Sequence, residues 1–221
     1  MITALNEALQ QLAGPGVGVA VQDVSAPSAP LWARERLAIV RAVPSRIAEF
    51  TAGRAAARQA MQALGLPEAA IAMGADRAPV WPAGVVGSIS HAAGTGAALV
   101  ARVGAIAGIG LDLELNEPLP PDLWPEVCTS AELIALTKLP EAAQGQTARL
   151  IFSAKECCYK CIYPHTKAVL GFGAMEIWPD LTGNSYAAAL VEPAGPFAPG
   201  TTWVGGFARI SGLIATVMVR R

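Results

Sequence analysis

Two stretches of this chain repeat apolar residues at a helical period, and each sits among short runs that alternate as strands do. A chain patterned this way twice has two helices to bury, each against its own sheet. In the first stretch Ser45 reads as an N-cap, and Ile47, Phe50, Ala57, Met61 and Leu64 recur up to Gly65. The second runs from Thr147 through Tyr163 and is closed by Pro164. Residues 17–24 alternate and are valine-rich, so they predict a strand, which a proline-rich stretch at 26–30 ends before the pattern turns helical from Leu31. Trp81-Pro82-Ala83-Gly84 reads as a turn, and 85–91 with 96–103 as a hairpin. A third strand is expected at 106–115, then a loop marked by Pro118, Pro120 and Pro121, and a helix start at Ser130-Ala131-Glu132-Leu133. Strands are expected at 174–178, 186–191, 202–210 and 213–219.

Both halves therefore run from a strand through helices to a terminal hairpin. The expected fold class is α+β, two pseudo-duplicated α/β halves with a seam near Gly104, residues 1–104 and 105–221. They show no sequence identity that would prove duplication.

With 221 residues, 53% hydrophobic and 15% charged, the chain can bury a substantial core, which excludes a disordered segment. Its 16 Lys and Arg nearly balance 17 Asp and Glu, so no global field draws nucleic acid. There is also no basic stripe with interleaved aromatics and no zinc-finger pattern. No run approaches the ~20 apolar residues of a membrane span. The first eleven residues lack a basic start followed by an apolar run, so a cytoplasmic location is expected. Four cysteines at 128, 157, 158 and 161 are spaced poorly for a disulfide framework. Cys158 and Cys161 form one C-x-x-C that Cys128 or His165 could complete as a zinc set, but no second C-x-x-C pairs with it.

Four elements carry chemistry. Gly108-Ile109-Gly110-Leu111-Asp112-Leu113-Glu114 ends an apolar strand in two carboxylates two positions apart, which face the same side and can reach one hard cation. Such a pair is also common at a solvated strand end. Phe152-Ser153-Ala154-Lys155-Glu156 with Lys160 sets an aromatic ring, a carboxylate and an ammonium at i, i+4 and i+8 of a helix, where a plain surface Glu–Lys pair is the simpler alternative. Gly87-Ser88-Ile89-Ser90-His91 places one of only two histidines among small residues that let a phosphate approach. Arg46, Arg54 and Arg58 fall at i, i+8 and i+12, near one helix side, with Arg77 in a following loop; guanidinium forks suit phosphate, although each arginine could equally be surface-exposed.

In this order the four elements resemble the 4′-phosphopantetheinyl transferase superfamily, its long surfactin-type branch and within that the enterobactin synthetase component D-like group. The resemblance is carried by residues 46–54, by Pro79-Val80-Trp81-Pro82 leading to Gly87–His91, by Gly108–Glu114 and by Phe152–Glu156 with Lys160. It spans about residues 41 to 163. It implies the transferase fold, with halves related by a pseudo-twofold. It also implies transfer of the 4′-phosphopantetheine arm of coenzyme A to a serine of an apo acyl, peptidyl or aryl carrier protein, releasing 3′,5′-adenosine bisphosphate.

By the same resemblance Asp112, Glu114 and Glu156 would hold magnesium. Glu156 would activate the carrier serine, directly or through water, while Lys155 and Lys160 neutralise phosphate or the leaving group. Arg46, Arg54, Ser90 and His91 would contact the 3′-phosphate end of coenzyme A, with Arg58 in the same basic set, and Arg77 would border the adenine. Phe152 stands where many relatives have tryptophan, and Cys157-Cys158 where small residues are usual. The stretch between Glu114 and Leu150 matches nothing that names the carrier. A monomer is expected, since a duplicated chain can build within itself a site that a short homologue assembles between subunits. The competing readings are a coenzyme A-binding regulatory module without transfer activity and a magnesium-dependent phosphohydrolase.

Overall fold

Leu5, Leu9 and Ala13 recur on one face of a first helix, α1 (Ile2–Ala13), and all three are buried, with the helix packed on strand β1 (Val17–Asp23). The computed structural model describes residues 1–221. A one-turn helix, α2 (Ala33–Arg36), precedes the long α3 (Pro44–Ala63). Helix α3 starts one residue before the expected cap. Pro44 occupies its first turn, where a missing N–H costs nothing, and Ser45 lies inside the helix without capping it. After α3 come the short pair β2 (Ala72–Met73) and β3 (Pro79–Val80), then the hairpin β4 (Val85–Ala92) and β5 (Thr95–Arg102). Ala93 and Gly94 both have positive φ in the two-residue turn between β4 and β5, the geometry whose twist suits a tight hairpin.

The sheet order here is β1-β5-β4, and Ala56, Ala57, Ala60 and Met61 of α3 pack on Ala20, Ala98 and Val100. Small side chains on both sides bring helix and sheet close. A Cβ at Gly18 would overlap the Ala60 carbonyl.

The second sheet begins with β6 (Gly108–Leu115). Two short helices follow, α4 (Trp124–Val127) and α5 (Ser130–Thr137), the latter closed at its start by a capping box between Thr129 and Glu132. Helix α6 (Glu141–Thr166) is longer than its periodicity suggested. It starts before Thr147 and passes through Pro164, which lies in the last turn, before Lys167 caps it in the left-handed conformation. Strands β7 (Met175–Asp180), β8 (Ser185–Leu190), β9 (Thr202–Ile210) and β10 (Leu213–Arg220) complete a sheet of order β6-β10-β9-β8-β7. Leu150, Cys157, Cys158 and Cys161 of α6 share a core with Ile177, Tyr186, Phe207, Ile214 and Met218.

The architecture is α+β. The chain divides into two compact units, residues 1–109 with Arg221, and residues 110–220. All four cysteines are free and buried, and no helix is long and apolar enough to cross a membrane.

Candidate active site

In the unit of residues 110–220, the chemistry gathers where β6 meets α6. Gly110 permits the meeting: a Cβ there would run into the carbonyl of Cys157, so only glycine lets the two backbones come this close. Asp112, two residues on, is then within reach of α6. Its Oδ1 accepts from Lys160 Nζ at 2.6 Å and its Oδ2 from Ser153 Oγ at 2.9 Å. Glu114 lies on the same strand face as Asp112 and accepts from Arg149 Nη1 at 3.2 Å.

Glu156 completes the acidic set from the helix. Burial, and then the neighbouring Asp112 charge, raise the Glu156 carboxyl above its ordinary value against the opposing pull of Lys160. Glu114 is raised for the same reasons, burial first and then Asp112, with a further push from Glu156. Glu114 and Glu156 thus both sense the Asp112 charge. Burial would lower the Lys160 ammonium, but the charge and hydrogen bond of Asp112 outweigh it, and the result is a raised value.

No three His, Cys, Asp or Glu side chains stand close enough together to hold a metal ion by themselves. Magnesium does not need such a set, since it keeps several waters and is bound through one or two carboxylates together with substrate phosphates. The carboxylates of Asp112, Glu114 and Glu156 are oxygen donors of the kind such a cation takes, and Asp112 is held by Lys160 and Ser153.

Lys155 does not join this set. Its ammonium is buried among Glu132 Oε2 at 2.7 Å and the carbonyls of Val127 and Phe172, each at 2.8 Å. Lys155 and Lys160 lie about 140° apart around α6, so Lys160 reaches Asp112 while Lys155 faces Glu132, and all three Lys155 donors are taken within the protein.

A basic cleft forms in the unit of residues 1–109. Arg46, Glu49, Phe50, Arg54, Arg77 and His91 line a cavity of about 130 Å³, and Arg46, Phe50 and Arg77 also line an adjoining one of about 310 Å³. Arg46 Nη1 lies 2.6 Å from His91 Nε2. Because guanidinium can only donate, that imidazole nitrogen accepts. Glu49 Oε2 stands 3.6 Å from both Arg46 Nη1 and His91 Nδ1. Arg54 is buried, stacks over the Phe50 ring at 4.0 Å, donates Nε to the Ile71 carbonyl at 2.7 Å, and has a pKa lowered to about 10, chiefly by burial.

Two other expected members lie elsewhere. Arg58 Nη1 reaches both oxygens of the fully buried Glu35 at 2.8 Å, and Nη2 meets the carbonyls of Ala29 and Pro30, so it ties the proline-rich segment to α3 and has no donor directed at the cleft. Ser90 is buried on the strand face opposite the one through which Ile89 and His91 line the cavity, because neighbours on a strand alternate. Neither side chain lines the two cavities.

Glu156 and Lys160 stand out in the sequence, whereas Arg149, Glu49 and Thr216 do not. Arg149, Ser153, Glu156 and Lys160 follow a four-three-four spacing, so the helix face that meets β6 could have been found by testing that period in place of 152, 156 and 160. Glu49 lies three residues beyond Arg46, on the same face. Thr216, which lies 2.9 Å from Ser153 Oγ, has no local signal, since only the sheet order brings β10 beside β6.

Residues 33–101 match the family of 4′-phosphopantetheinyl transferase N-terminal domains, and residues 108–203 match the 4′-phosphopantetheinyl transferase superfamily. The chain is 37% identical over 198 residues to 4′-phosphopantetheinyl transferase Svp of Streptomyces mobaraensis, an alignment covering 87% of this chain and 79% of that protein. To 4′-phosphopantetheinyl transferase PptT of Mycobacterium tuberculosis it is 35% identical over 192 residues, 82% of either chain. Enterobactin synthase component D of Escherichia coli K12 is 35% identical over 140 residues, 62% of this chain and 65% of that one.

Proposed function

This chain belongs to the 4′-phosphopantetheinyl transferase superfamily and transfers phosphopantetheine to carrier proteins, and we propose how its residues divide that work. The donor is coenzyme A and the acceptor a serine of an apo acyl, peptidyl or aryl carrier domain. In the transfer a bond forms between the serine oxygen and the β-phosphorus while the bond from that phosphorus to the bridging oxygen breaks, releasing 3′,5′-adenosine bisphosphate.

Phosphoryl transfer of this kind asks a protein mostly for positioning and charge neutralisation. Asp112, Glu114 and Glu156 would hold magnesium, which when bound offsets the charge on the phosphate oxygens. Lys160 contributes its ammonium to the same purpose from beside Asp112. Glu156 takes the serine proton directly or through a water. The arginine and histidine cleft of residues 46, 77 and 91 receives the 3′-phosphate and adenine end of coenzyme A, with Arg54 supporting it from behind Phe50. Lys155 and Arg58 maintain the fold around these groups.

The single observation that carries this reading is the meeting of Asp112 with Lys160 at 2.6 Å on the same helix that presents Glu156. Four reduced, buried thiols support a cytoplasmic setting, and the presence of both units in one chain supports a monomer. The test uses an apo carrier protein, coenzyme A and magnesium, with conversion read as mass gained by the carrier. Glu156→Ala is expected to abolish the gain, and near-wild-type conversion by that variant overturns the assignment.

A further inference from the structure

Asp112 is held from behind by two hydroxyls that no role above uses. Ser153 Oγ on α6 lies 2.9 Å from Asp112 Oδ2 and 2.9 Å from Thr216 Oγ1 on β10, while Thr216 Oγ1 lies 3.0 Å from the Ser153 carbonyl. Ser153 and Thr216 are fully buried and Asp112 nearly so. The directions of these bonds follow from counting protons. An ionised carboxylate only accepts, so the one proton of Ser153 goes to Asp112. Thr216 Oγ1 donates to the Ser153 carbonyl and lies 2.9 Å from Ser153 Oγ, so its single proton can serve the serine hydroxyl and carbonyl together. The result is an ordered relay, Thr216 to Ser153 to Asp112.

This relay anchors Oδ2 in the interior and leaves Oδ1 turned to the side where Lys160 Nζ lies, 29% exposed. We propose that Ser153 and Thr216 are positioning residues that hold the Asp112 carboxylate in a single rotamer, ready for a divalent cation. The proposal rests on the reading of Asp112 as a metal ligand. Partners that orient a ligand in this way contribute about 10- to 100-fold to metal affinity.

The test is Mn²⁺ binding to the full chain with coenzyme A present, followed by electron paramagnetic resonance of the free ion, with thermal unfolding recorded for each variant. Ser153→Ala should weaken Mn²⁺ binding roughly 10- to 100-fold, while coenzyme A affinity measured without metal stays as in the wild type. Thr216→Val should weaken Mn²⁺ binding less, and Thr216→Ser, which keeps the hydroxyl, should restore it. Because Thr216 acts only through Ser153, the double variant Ser153→Ala with Thr216→Val should bind Mn²⁺ no worse than Ser153→Ala alone. Wild-type Mn²⁺ affinity in Ser153→Ala, or additive losses in the double variant, overturns the relay provided Asp112→Asn loses the ion. If Asp112→Asn binds Mn²⁺ as the wild type does, the ligand reading itself has failed.

Discussion

Glu132 Oε2 accepts from Lys155 Nζ at 2.7 Å where both side chains are almost wholly buried, and Glu132 Oε1 accepts from the Ile177 backbone N–H at 2.6 Å. One carboxylate thereby joins α5, α6 and β7. Removing one partner of a buried pair leaves a charge that nothing compensates, at a cost of about 3–5 kcal/mol. Lys155→Ala should therefore lower the melting temperature by on the order of 10 °C, given about 2–4 °C per kcal/mol for a chain of this size. The coenzyme A KM of the folded fraction should be unchanged. A thermal melt together with a coenzyme A titration checks this, and a raised KM with an unchanged melt would return Lys155 to the phosphate.

Arg46 and His91 meet in the basic cleft, and their expected partner is the 3′-phosphate. Charge-assisted hydrogen bonds are worth about 1.5–3 kcal/mol each, so Arg46→Ala should raise the coenzyme A KM roughly 10- to 100-fold with little change in kcat. The sharper measurement uses coenzyme A lacking its 3′-phosphate. Wild-type protein should discriminate strongly against it, whereas Arg46→Ala and His91→Ala should treat the two donors nearly alike. Equal discrimination by His91→Ala and wild type would remove His91 from the phosphate site.

What could be read in the sequence followed the range of each interaction. The bounds of β9 and the existence of α3 and α6 were legible because their signals are local and repeated. Helix α1 was not, since its buried Leu5 and Leu9 are too few to set a period. Asp112, Glu114, Glu156 and Lys160 could be named because each lies in a short motif. The orientation of Lys155 and Arg58 could not, because a buried cation looks like an active one until its partner is known. Those partners, Glu132 and Glu35, lie 23 residues away in either case, and no local pattern links them to the cation they hold. Strand alternation turns Ser90 away from the cavity that His91 lines, which a motif read as one unit does not reveal.

The buried thiols make a pH prediction whose sign can be worked out. Burial pushes Cys128 from 9.0 to about 11, and pushes Cys161 higher still. A group whose folded pKa is raised adds stability in full below its unfolded value and loses it as pH climbs toward the folded value. Unfolding free energy should therefore hold up to about pH 9 and fall between there and about 11. In the native protein at pH 8 none of the four cysteines should react with a thiol reagent, and after denaturation all four should. Rapid native labelling of Cys128 would show that its surroundings are more open than its burial indicates.

Gly110 connects packing to chemistry more directly than any charged residue. The Cβ of an alanine there would overlap the Cys157 carbonyl oxygen and lie 3.1 Å from Cys157 Sγ, so β6 and α6 would have to separate. Overpacking of this kind costs about 1–3 kcal/mol. The same separation would pull Asp112 away from Ser153 and Lys160, whose bonds at 2.9 and 2.6 Å depend on that approach. Gly110→Ala should therefore lower both the melting temperature and the transfer rate, while leaving the coenzyme A contacts of the basic cleft intact. Gly18→Ala is the comparison: its Cβ meets the Ala60 carbonyl beneath α3, so it should destabilise its own unit without weakening Mn²⁺ binding. If Gly110→Ala destabilises the protein yet transfers at the wild-type rate, the close approach of β6 and α6 is not what sets the carboxylate geometry.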